Sequence, residues 1–313
     1  MTHIKLWREV LSFYDYVIGY GLHGCWPLLT NQHPYLAYEH GTIRQLPFLP
    51  DAQGRLCALT YRMADLSLIT NADNNQAADT LGLYPYAFMP HPVNEWMPEI
   101  EQCRTLHEEL LASLNADFIV FHPSRQHWDE TRDPSLEKGN DIFIRGLARF
   151  IQECNPRGAA VFVDWGKMVN KTQRLLEELK IAQRVHWIPP QHNHAMVRYM
   201  KACDLLADQF YLGAFGSTMP KALLHETPAM LYLDEERHRW CFPEMPPVIN
   251  ASTPEEVFTG MRRLYEDKSY REALVRDGKS WYDRYHSNRV IAETFLRLFK
   301  TIPQPSRHGT LLT

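Results

Sequence analysis

Residues 205–233, LLADQFYLGAFGSTMPKALLHETPAMLYL, hold the pattern that decides the fold class. Residues 205–207 and 230–233 are short apolar runs that predict buried strands, and residues 220–225 predict a helix between them. The segment GAFGST at 213–218 separates the first strand from this helix. A strand, a helix and a second strand within about thirty residues form the unit from which parallel sheets are built.

The same alternation continues on both sides of this unit. Further strands are predicted at residues 118–121, 160–163 and 185–188, and further helices at 141–153, 172–179, 196–201, 270–285 and 288–299. Another helix is predicted to begin at Thr253, which is a good N-cap, with Pro254 at its first position. Strands alternating with helices predict one parallel sheet covered on both faces, and such sheets bind ligands beyond the carboxyl ends of their strands.

The first 94 residues are less regular. One helix is predicted at residues 6–13, and four short strands are predicted at residues 16–19, 35–38, 66–69 and 87–90. A doubly wound domain of its own usually holds about 100–150 residues. The sequence therefore predicts an N-terminal α/β domain that is incomplete.

Charge and composition disfavour several classes of function. The 313 residues include 33 Lys and Arg against 37 Asp and Glu, a net charge of −4, which gives no basic field for binding nucleic acid. The six cysteines form no C-x-x-C pair, and residues 1–5 do not begin a signal peptide, so a cytoplasmic location is expected. His192 and His194 fall in a predicted loop after two prolines, and no metal site is expected. No G-x-G-x-x-G follows a strand, which disfavours a dinucleotide dehydrogenase.

Several segments resemble those of one enzyme family, in the family's order. They are FHPSR at 121–125, EKGND at 137–141, VFVDWG at 161–166, RVHWIP at 184–189, ACDLL at 202–206, GAFG at 213–216 and ALLHETPA at 222–229. With these motifs, residues 117–250 resemble the C-terminal domain of the group 1 glycosyltransferases, which are retaining enzymes of the GT-B fold. The N-terminal part resembles the family at YEHGT (38–42), ADLSLITN (64–71) and MPHPVN (89–94). The family normally has several βα units and a glycine-rich first loop upstream of the position that Leu6 occupies here, so a truncated N-terminal domain is expected.

The resemblance implies an α/β chain of the GT-B type, with a complete Rossmann-like C-terminal domain and a truncated N-terminal domain. The implied parts are a partial acceptor-side domain (1–94), a linker and helix (95–116), a nucleotide-sugar-binding domain (117–265), helices crossing back to the N-terminal domain (266–300) and a disordered tail (301–313).

The resemblance also implies which residues hold the donor. A nucleotide-sugar carries a diphosphate, and without a metal its charge must be met by cations and backbone N–H groups. Arg125 and Lys138 are the candidate cations. Gly216, Ser217 and Thr218 are the candidate loop at the start of a helix, where an anion is favoured. The alternatives are solvated surface charge for the cations and an ordinary capped turn for the loop.

Further candidates rest on individual matches. Gly213 and Lys221 stand where the family has two glutamates, one near the transferred sugar and one at the ribose; because an ammonium group cannot accept a hydrogen bond, Lys221 is expected to meet a phosphate instead. Pro189 precedes the segment that resembles the base-binding loop. His40 matches a histidine that contacts the transferred sugar in the family, and a structural histidine is the alternative. Glu39 either orients His40 or faces solvent.

Aromatic residues form a last set of candidates. Four tryptophans are expected either to stack on a base or sugar or to pack in the core; they are Trp128, Trp165, Trp187 and Trp240.

Two functions follow from these expectations. The first is transfer of a sugar, with retention, from a nucleotide-sugar donor to a glycan or lipid-linked acceptor, without a cofactor or metal. The second is a catalytically impaired nucleotide-sugar-binding or scaffold protein, favoured by Gly213, Lys221 and the missing N-terminal units. A nucleotide-sugar epimerase on the same fold is less favoured. Peripheral contact with the inner face of the cell membrane is compatible with the first two.

Overall fold

The computed structural model describes residues 3–129 and 136–302. The chain divides into two compact units, Met1–His91 with Arg289–Thr313, and Pro92–Asn288. Each unit holds its own parallel sheet, as the alternating sequence pattern predicts.

The first unit is built on four parallel strands in the order β1-β2-β3-β4. The strands are β1 (Val17–Tyr20), β2 (Tyr35–Tyr38), β3 (Leu66–Ile69) and β4 (Tyr86–Phe88), and the helices are α1 (His3–Leu11), α2 (Cys25–Thr30), α3 (Ala52–Arg62), α4 (Asn75–Leu81) and, from the end of the chain, α13 (Asn288–Phe299). Every residue of β2 and β3 is buried. The core of this unit forms where Leu36 and Leu68 of the sheet meet Ile291 of α13.

The second unit is built on six parallel strands in the order β10-β9-β8-β5-β6-β7. The strands are β5 (Phe118–His122), β6 (Gly158–Val163), β7 (Val185–Ile188), β8 (Leu205–Ala207), β9 (Ala229–Leu231) and β10 (Ile249–Asn250). The helices are α5 (Ile100–Leu114), α6 (Asn140–Arg149), α7 (Val169–Glu178), α8 (Asn193–Lys201), α9 (Thr218–Leu224), α10 (Glu235–His238), α11 (Pro254–Glu266) and α12 (Lys268–Tyr285). The chain begins this sheet at β5, adds β6 and β7 on one side, and then adds β8, β9 and β10 on the other. The strand order therefore reverses between β5 and β8, which is where open parallel sheets bind their ligands.

The core of the second unit includes the contact of α6 and α11 below the sheet. Leu147 and Val257 are fully buried there, and a Cβ at Gly146 would lie 2.4 Å from Val257 Cγ1. α11 begins as the sequence predicts. The Thr253 side chain accepts a hydrogen bond from Glu256 N, and the Glu256 side chain accepts one from Thr253 N.

One local prediction was wrong, and a helix of the first unit was missed. His194 lies in the first turn of α8 rather than in a loop, and His192 caps that helix by accepting from Ala195 N at 3.4 Å. An imidazole cap lies outside the usual Ser, Thr, Asp and Asn preference. α3 was not predicted, although Asp51 is its N-cap and accepts from Gly54 N. The Asp51 cap was therefore the available sequence signal.

The last two helices of the chain belong mainly to different units, with the boundary after residue 288. α12 belongs to the second unit, whereas the residues from Arg289 onward belong to the first. Ile302 is buried in the core of the first unit, so the predicted tail does not begin at residue 301. Residues 303–313 lie outside the described part of the chain.

Candidate functional site

The reversal point of the second sheet brings two loops together. One follows β5 and carries Arg125 and Lys138, and the other follows β8 and carries residues 213–218. Parallel neighbouring strands end at the same edge of a sheet, so both loops start at one rim. The strand order therefore places the starts of the two loops next to each other.

Lys138 is tied directly to the loop after β8. Its Nζ donates to Gln209 Oε1 at 2.7 Å, and its main-chain carbonyl accepts from Phe210 N at 2.7 Å. The Gln209 amide in turn donates to the carbonyl of Ala214. Ala214 lies in the loop of residues 213–218, which we call the glycine loop. The cation and the glycine loop therefore form one hydrogen-bonded arrangement.

Asp208 is a buried carboxylate at the same rim, and sequence analysis missed it. Its Oδ1 accepts from Ser124 Oγ at 2.9 Å. Burial raises the pKa of Asp208, while the charge of Lys138 and the hydrogen bond from Ser124 oppose that rise. An aspartate directly after the apolar run of β8 was the signal, because chemistry-bearing residues collect at the carboxyl ends of parallel strands.

A buried histidine fixes the start of the loop after β5. His122 Nδ1 donates to the carbonyl of Ala207 at 2.9 Å, and its Nε2 lies 2.9 Å from Asn140 Nδ2, which donates to it. Asn140 Oδ1 accepts from His127 N at 3.0 Å. Burial lowers the pKa of His122 to about 4, against a weaker opposite effect of the bond to Ala207. The ring is therefore neutral at pH 7 and links β5, β8 and α6 by hydrogen bonds.

Arg125 is half-buried beside these groups. Its Nε is buried and has no hydrogen-bond partner among the described residues. A buried donor without a partner is costly, so an arginine in this state is suited to an anionic ligand. Pro189 follows β7, two strands away from β5 in the sheet, and is exposed.

The glycine loop contains two glycines with different surroundings. Gly213 has a φ of +68°, and a Cβ there would lie 2.9 Å from Asp234 Cβ. Gly216 is exposed, and a Cβ there would meet no atom within 4 Å. Ser217 was expected to be a cap, but it has αR geometry and its side chain makes no capping bond. Ser217 immediately precedes α9, and Thr218 is the first residue of that helix.

Lys221 lies one turn into α9 and is half-buried. Burial lowers its pKa. The residue is therefore a desolvated cation rather than a solvated surface charge.

His40 lies in the first unit, directly after β2. It is exposed, and its Nδ1 lies 2.7 Å from Nε2 of His91. Burial, and secondarily the neighbouring His40, lowers the pKa of His91 to about 4, so His91 is neutral at pH 7. His91 was missed because it follows β4, far from His40 in sequence.

Of the two sequence interpretations of Glu39, the one in which it faces solvent was wrong. Its side chain is fully buried. One carboxylate oxygen accepts from Gly41 N, and the other accepts from Thr70 Oγ1 at 2.6 Å. Glu39 thus braces the loop that carries His40 against the end of β3, because the neighbouring parallel strand ends at the same edge.

Comparison with solved structures decides the fold. The structure of HepE from Anabaena in complex with UDP-glucose is similar over 96% of this chain and 82% of that chain, with a TM-score of 0.74 and 15% sequence identity. The chain has the GT-B fold. Sucrose-phosphate synthase from Thermosynechococcus elongatus is similar over 95% of this GT-B chain and 76% of the synthase chain, with a TM-score of 0.66 and 14% identity.

Sequence comparison gives a shorter match. A D-inositol 3-phosphate glycosyltransferase from Nocardia farcinica (strain IFM 10152) is 29% identical over 99 residues, which is 30% of this GT-B chain and only 22% of that relative. No family model matches the chain.

Within residues 3–129 and 136–302, no group of three or more His, Cys, Asp or Glu side chains is arranged to hold a metal ion. In the same residues, none of the helices combines the length and apolar character needed to cross a membrane.

Proposed function

We propose that this chain transfers a sugar, with retention, from a nucleotide-sugar donor to a glycan or lipid-linked acceptor. The observation that carries the proposal is the hydrogen-bonded link from Lys138 through Gln209 to the 213–218 loop, at the reversal point of the second sheet. The similarity to HepE, which was solved with UDP-glucose, and the order of the sequence motifs support the same function.

The proposed chemistry rests on stabilising the leaving group. When the glycosidic C–O bond breaks, the nucleoside diphosphate keeps the electron pair and gains negative charge. Preorganised cations and N–H donors at that position lower the barrier. Arg125 offers a guanidinium with a buried, unpartnered Nε among the described residues, and Lys138 offers a charge held by Gln209. In this proposal the side chains supply the positive charge, and no metal is required.

On the acceptor side, the proposal assigns His40 to contact with the transferred sugar. Its Nδ1 is engaged by His91, which leaves Nε2 to meet a sugar hydroxyl. A cytoplasmic location, with or without peripheral contact at the inner face of the cell membrane, stays a prediction.

A second function, binding without turnover, is favoured by one observation. Gly213 has a positive φ and a Cβ position blocked by Asp234, so this loop does not accommodate the carboxylate that the family has there. Lys221 replaces the second carboxylate. A protein of this second kind binds nucleotide-sugars and does not release the nucleotide from them.

The test is titration of the intact chain with UDP-, GDP- and ADP-sugars, followed by measurement of nucleotide release. We expect binding of one class and slow release, which an acceptor accelerates. Lys138→Ala should weaken binding about 10- to 100-fold, because a hydrogen bond to a charged group contributes about 1.5–3 kcal/mol. Isothermal titration calorimetry measures this loss.

The matched control is Lys268→Ala, which removes an exposed lysine from α12 and should leave donor affinity unchanged. Binding without release would support the second function. If the wild type binds no nucleotide-sugar, or if Lys138→Ala binds as the wild type does, the donor site is wrong.

A further inference from the structure

Trp165 differs from the other tryptophans in its exposure. All eight tryptophans lie within the described residues, and Trp165 alone is exposed, at 44%. Trp128 is buried and its indole N–H donates to Thr172 Oγ1 at 2.9 Å. Trp187 packs edge-on against Phe162. Among the four candidate tryptophans, Trp165 is therefore the one whose ring is most available to a ligand.

The Trp165 ring is held rigidly although it is exposed. Its indole N–H donates to the carbonyl of Pro123 at 2.9 Å. Its main-chain N–H donates to Val163 O at 2.9 Å, and its carbonyl accepts from Gln126 N at 2.9 Å. These bonds fix the ring on the segment that carries Arg125. An aromatic side chain presented in one orientation binds a ligand at a low cost in conformational entropy.

Gly166 brings Trp165 close to Arg125. It has a φ of +114°, and a Cβ there would lie 2.4 Å from Gln126 O and 2.9 Å from Arg125 Cγ. A residue with a side chain would push the two turns apart. The Asp164–Gly166 turn and the Arg125 loop therefore form one rigid part of the rim.

The strand order sets where a nucleotide would lie on this rim. The groups proposed for the diphosphate follow β5 and β8, and Trp165 follows β6, on the other side of β5 from β8. Neighbouring strands lie about 4.8 Å apart. A nucleoside that extends toward β6 from a diphosphate at the reversal point reaches the ends of β6 and β7, where Trp165 and Pro189 lie. The sugar at the other end of the diphosphate points toward the Gly213 loop.

We propose that Trp165 is the stacking platform for the nucleobase of the donor. This inference rests on the proposed function and names the part of the donor that the ring contacts. Stacking of a base on an aromatic ring contributes about 1–3 kcal/mol and is tolerant of base identity. Trp165 therefore supplies affinity for the nucleoside and leaves the choice of sugar to other residues.

The test compares UDP, GDP and pyrophosphate as probes for the intact chain and its Trp165 variants. Trp165→Ala should weaken binding of the better nucleotide about 5- to 100-fold and should leave pyrophosphate binding unchanged. Trp165→Phe should keep affinity within about fivefold, since it retains a ring. Nucleotide binding should quench tryptophan emission in the wild type, and the quench should be lost in Trp165→Phe.

Tyr84→Ala is the control for removal of an exposed aromatic, because Tyr84 is 94% exposed and belongs to the first unit; it should bind like the wild type. Nucleotide affinity that is unchanged in Trp165→Ala overturns the inference while leaving the proposed function intact. An equal loss for pyrophosphate and nucleotide also overturns it, because the ring would then act through Arg125. Failure of the wild type to bind any nucleotide overturns the proposed function itself.

Discussion

Gly213 and Gly216 lie in one loop but have opposite constraints. Gly213 has a left-handed φ of +68° and a crowded Cβ position beside Asp234, so the fold requires a glycine. Gly216 has open space at its Cβ position, so packing does not require one. The sequence shows two similar glycines. Only the tertiary structure distinguishes Gly213, which the backbone requires, from Gly216, which leaves room for a ligand.

This difference gives a prediction with two variants. Gly213→Ala should lower the free energy of unfolding by about 1–3 kcal/mol, because a Cβ would be strained by φ and by contact with Asp234. Gly216→Ala should leave stability within about 0.5 kcal/mol and weaken nucleotide-diphosphate binding about 5-fold or more, because the Cβ enters space that the ligand needs. Urea unfolding and calorimetric titration measure the two quantities. Full donor affinity in Gly216→Ala would contradict the placement of the diphosphate at this loop.

Lys138 and Glu39 show which roles of individual residues can be predicted from the sequence. Lys138 was found because it stands in a recognisable motif, and the structure brings it to Gln209 and the glycine loop. Glu39 was misjudged because its role depends on Thr70, 31 positions away in sequence. A local motif can single out a residue such as Lys138, whose partner Gln209 lies 71 positions away, but the motif does not show which contact that residue makes.

At the scale of elements, α9 connects the rim to a buried histidine. The glycine loop precedes its first residue, Thr218, and His225 follows its last residue as the C-cap. His225 is fully buried, and neither ring nitrogen has a hydrogen-bond partner in the part of the chain that the structure describes. Burial, together with the charges of Lys201 and Lys221, lowers the pKa of His225 to about 4.

The lowered pKa of His225 predicts acid sensitivity. The unfolded value is about 6.5, so the folded state favours the neutral ring. Its stabilising contribution is complete above about pH 6.5 and is lost as the pH falls toward 4, by about 3 kcal/mol in all. His225→Leu should therefore reduce the dependence of unfolding free energy on pH between 6 and 5 by about 1 kcal/mol per pH unit. Its stability at pH 7.5 should be equal or higher, because no hydrogen bond is removed.

Urea unfolding at a series of pH values measures this dependence. His186→Leu is the control, since His186 is exposed on β7 and its replacement should not alter the slope. If His225→Leu keeps the wild-type slope, another group is responsible for the acid sensitivity.

Elements with strong periodic patterns were the ones that sequence predicted well. All strands of the second sheet except the two-residue β10 were expected, because buried parallel strands are short, continuous apolar runs. α3 was missed because Gly54, Arg55 and the polar residues of the segment dilute its pattern, and tertiary packing stabilises it instead. α8 begins at Asn193, three residues before the predicted start, because the His192 side chain caps it.

At the scale of the whole molecule, the proposed functional residues fall into two separate units. Arg125, Lys138, Trp165 and the glycine loop all belong to residues 92–288, and His40 belongs to the other unit. The second unit has its own sheet and its own core. Donor binding is therefore expected to be a property of the second unit, and transfer a property of the intact chain.

A fragment of residues 92–288 tests this separation. It should fold, bind the same nucleotide within about threefold of the intact chain, a difference under about 0.7 kcal/mol, and fail to transfer sugar. Circular dichroism, calorimetric titration and a nucleotide-release assay measure the three properties. The same fragment with Lys138→Ala is the control and should bind about 10- to 100-fold more weakly. A folded fragment that does not bind nucleotide would show that residues outside 92–288 complete the donor site.

The sequence by itself determined the fold class and the identity of the candidate donor residues, because apolar periodicity and short motifs are local properties of the chain. Tertiary structure decided which of those residues meet: the reversal of strand order between β5 and β8 joins Lys138 to the glycine loop and adds Asp208. It also decided that Trp165 is exposed and that Glu39 is buried. Burial and contact depend on strands that are distant in sequence, and no local pattern encodes their order in the sheet.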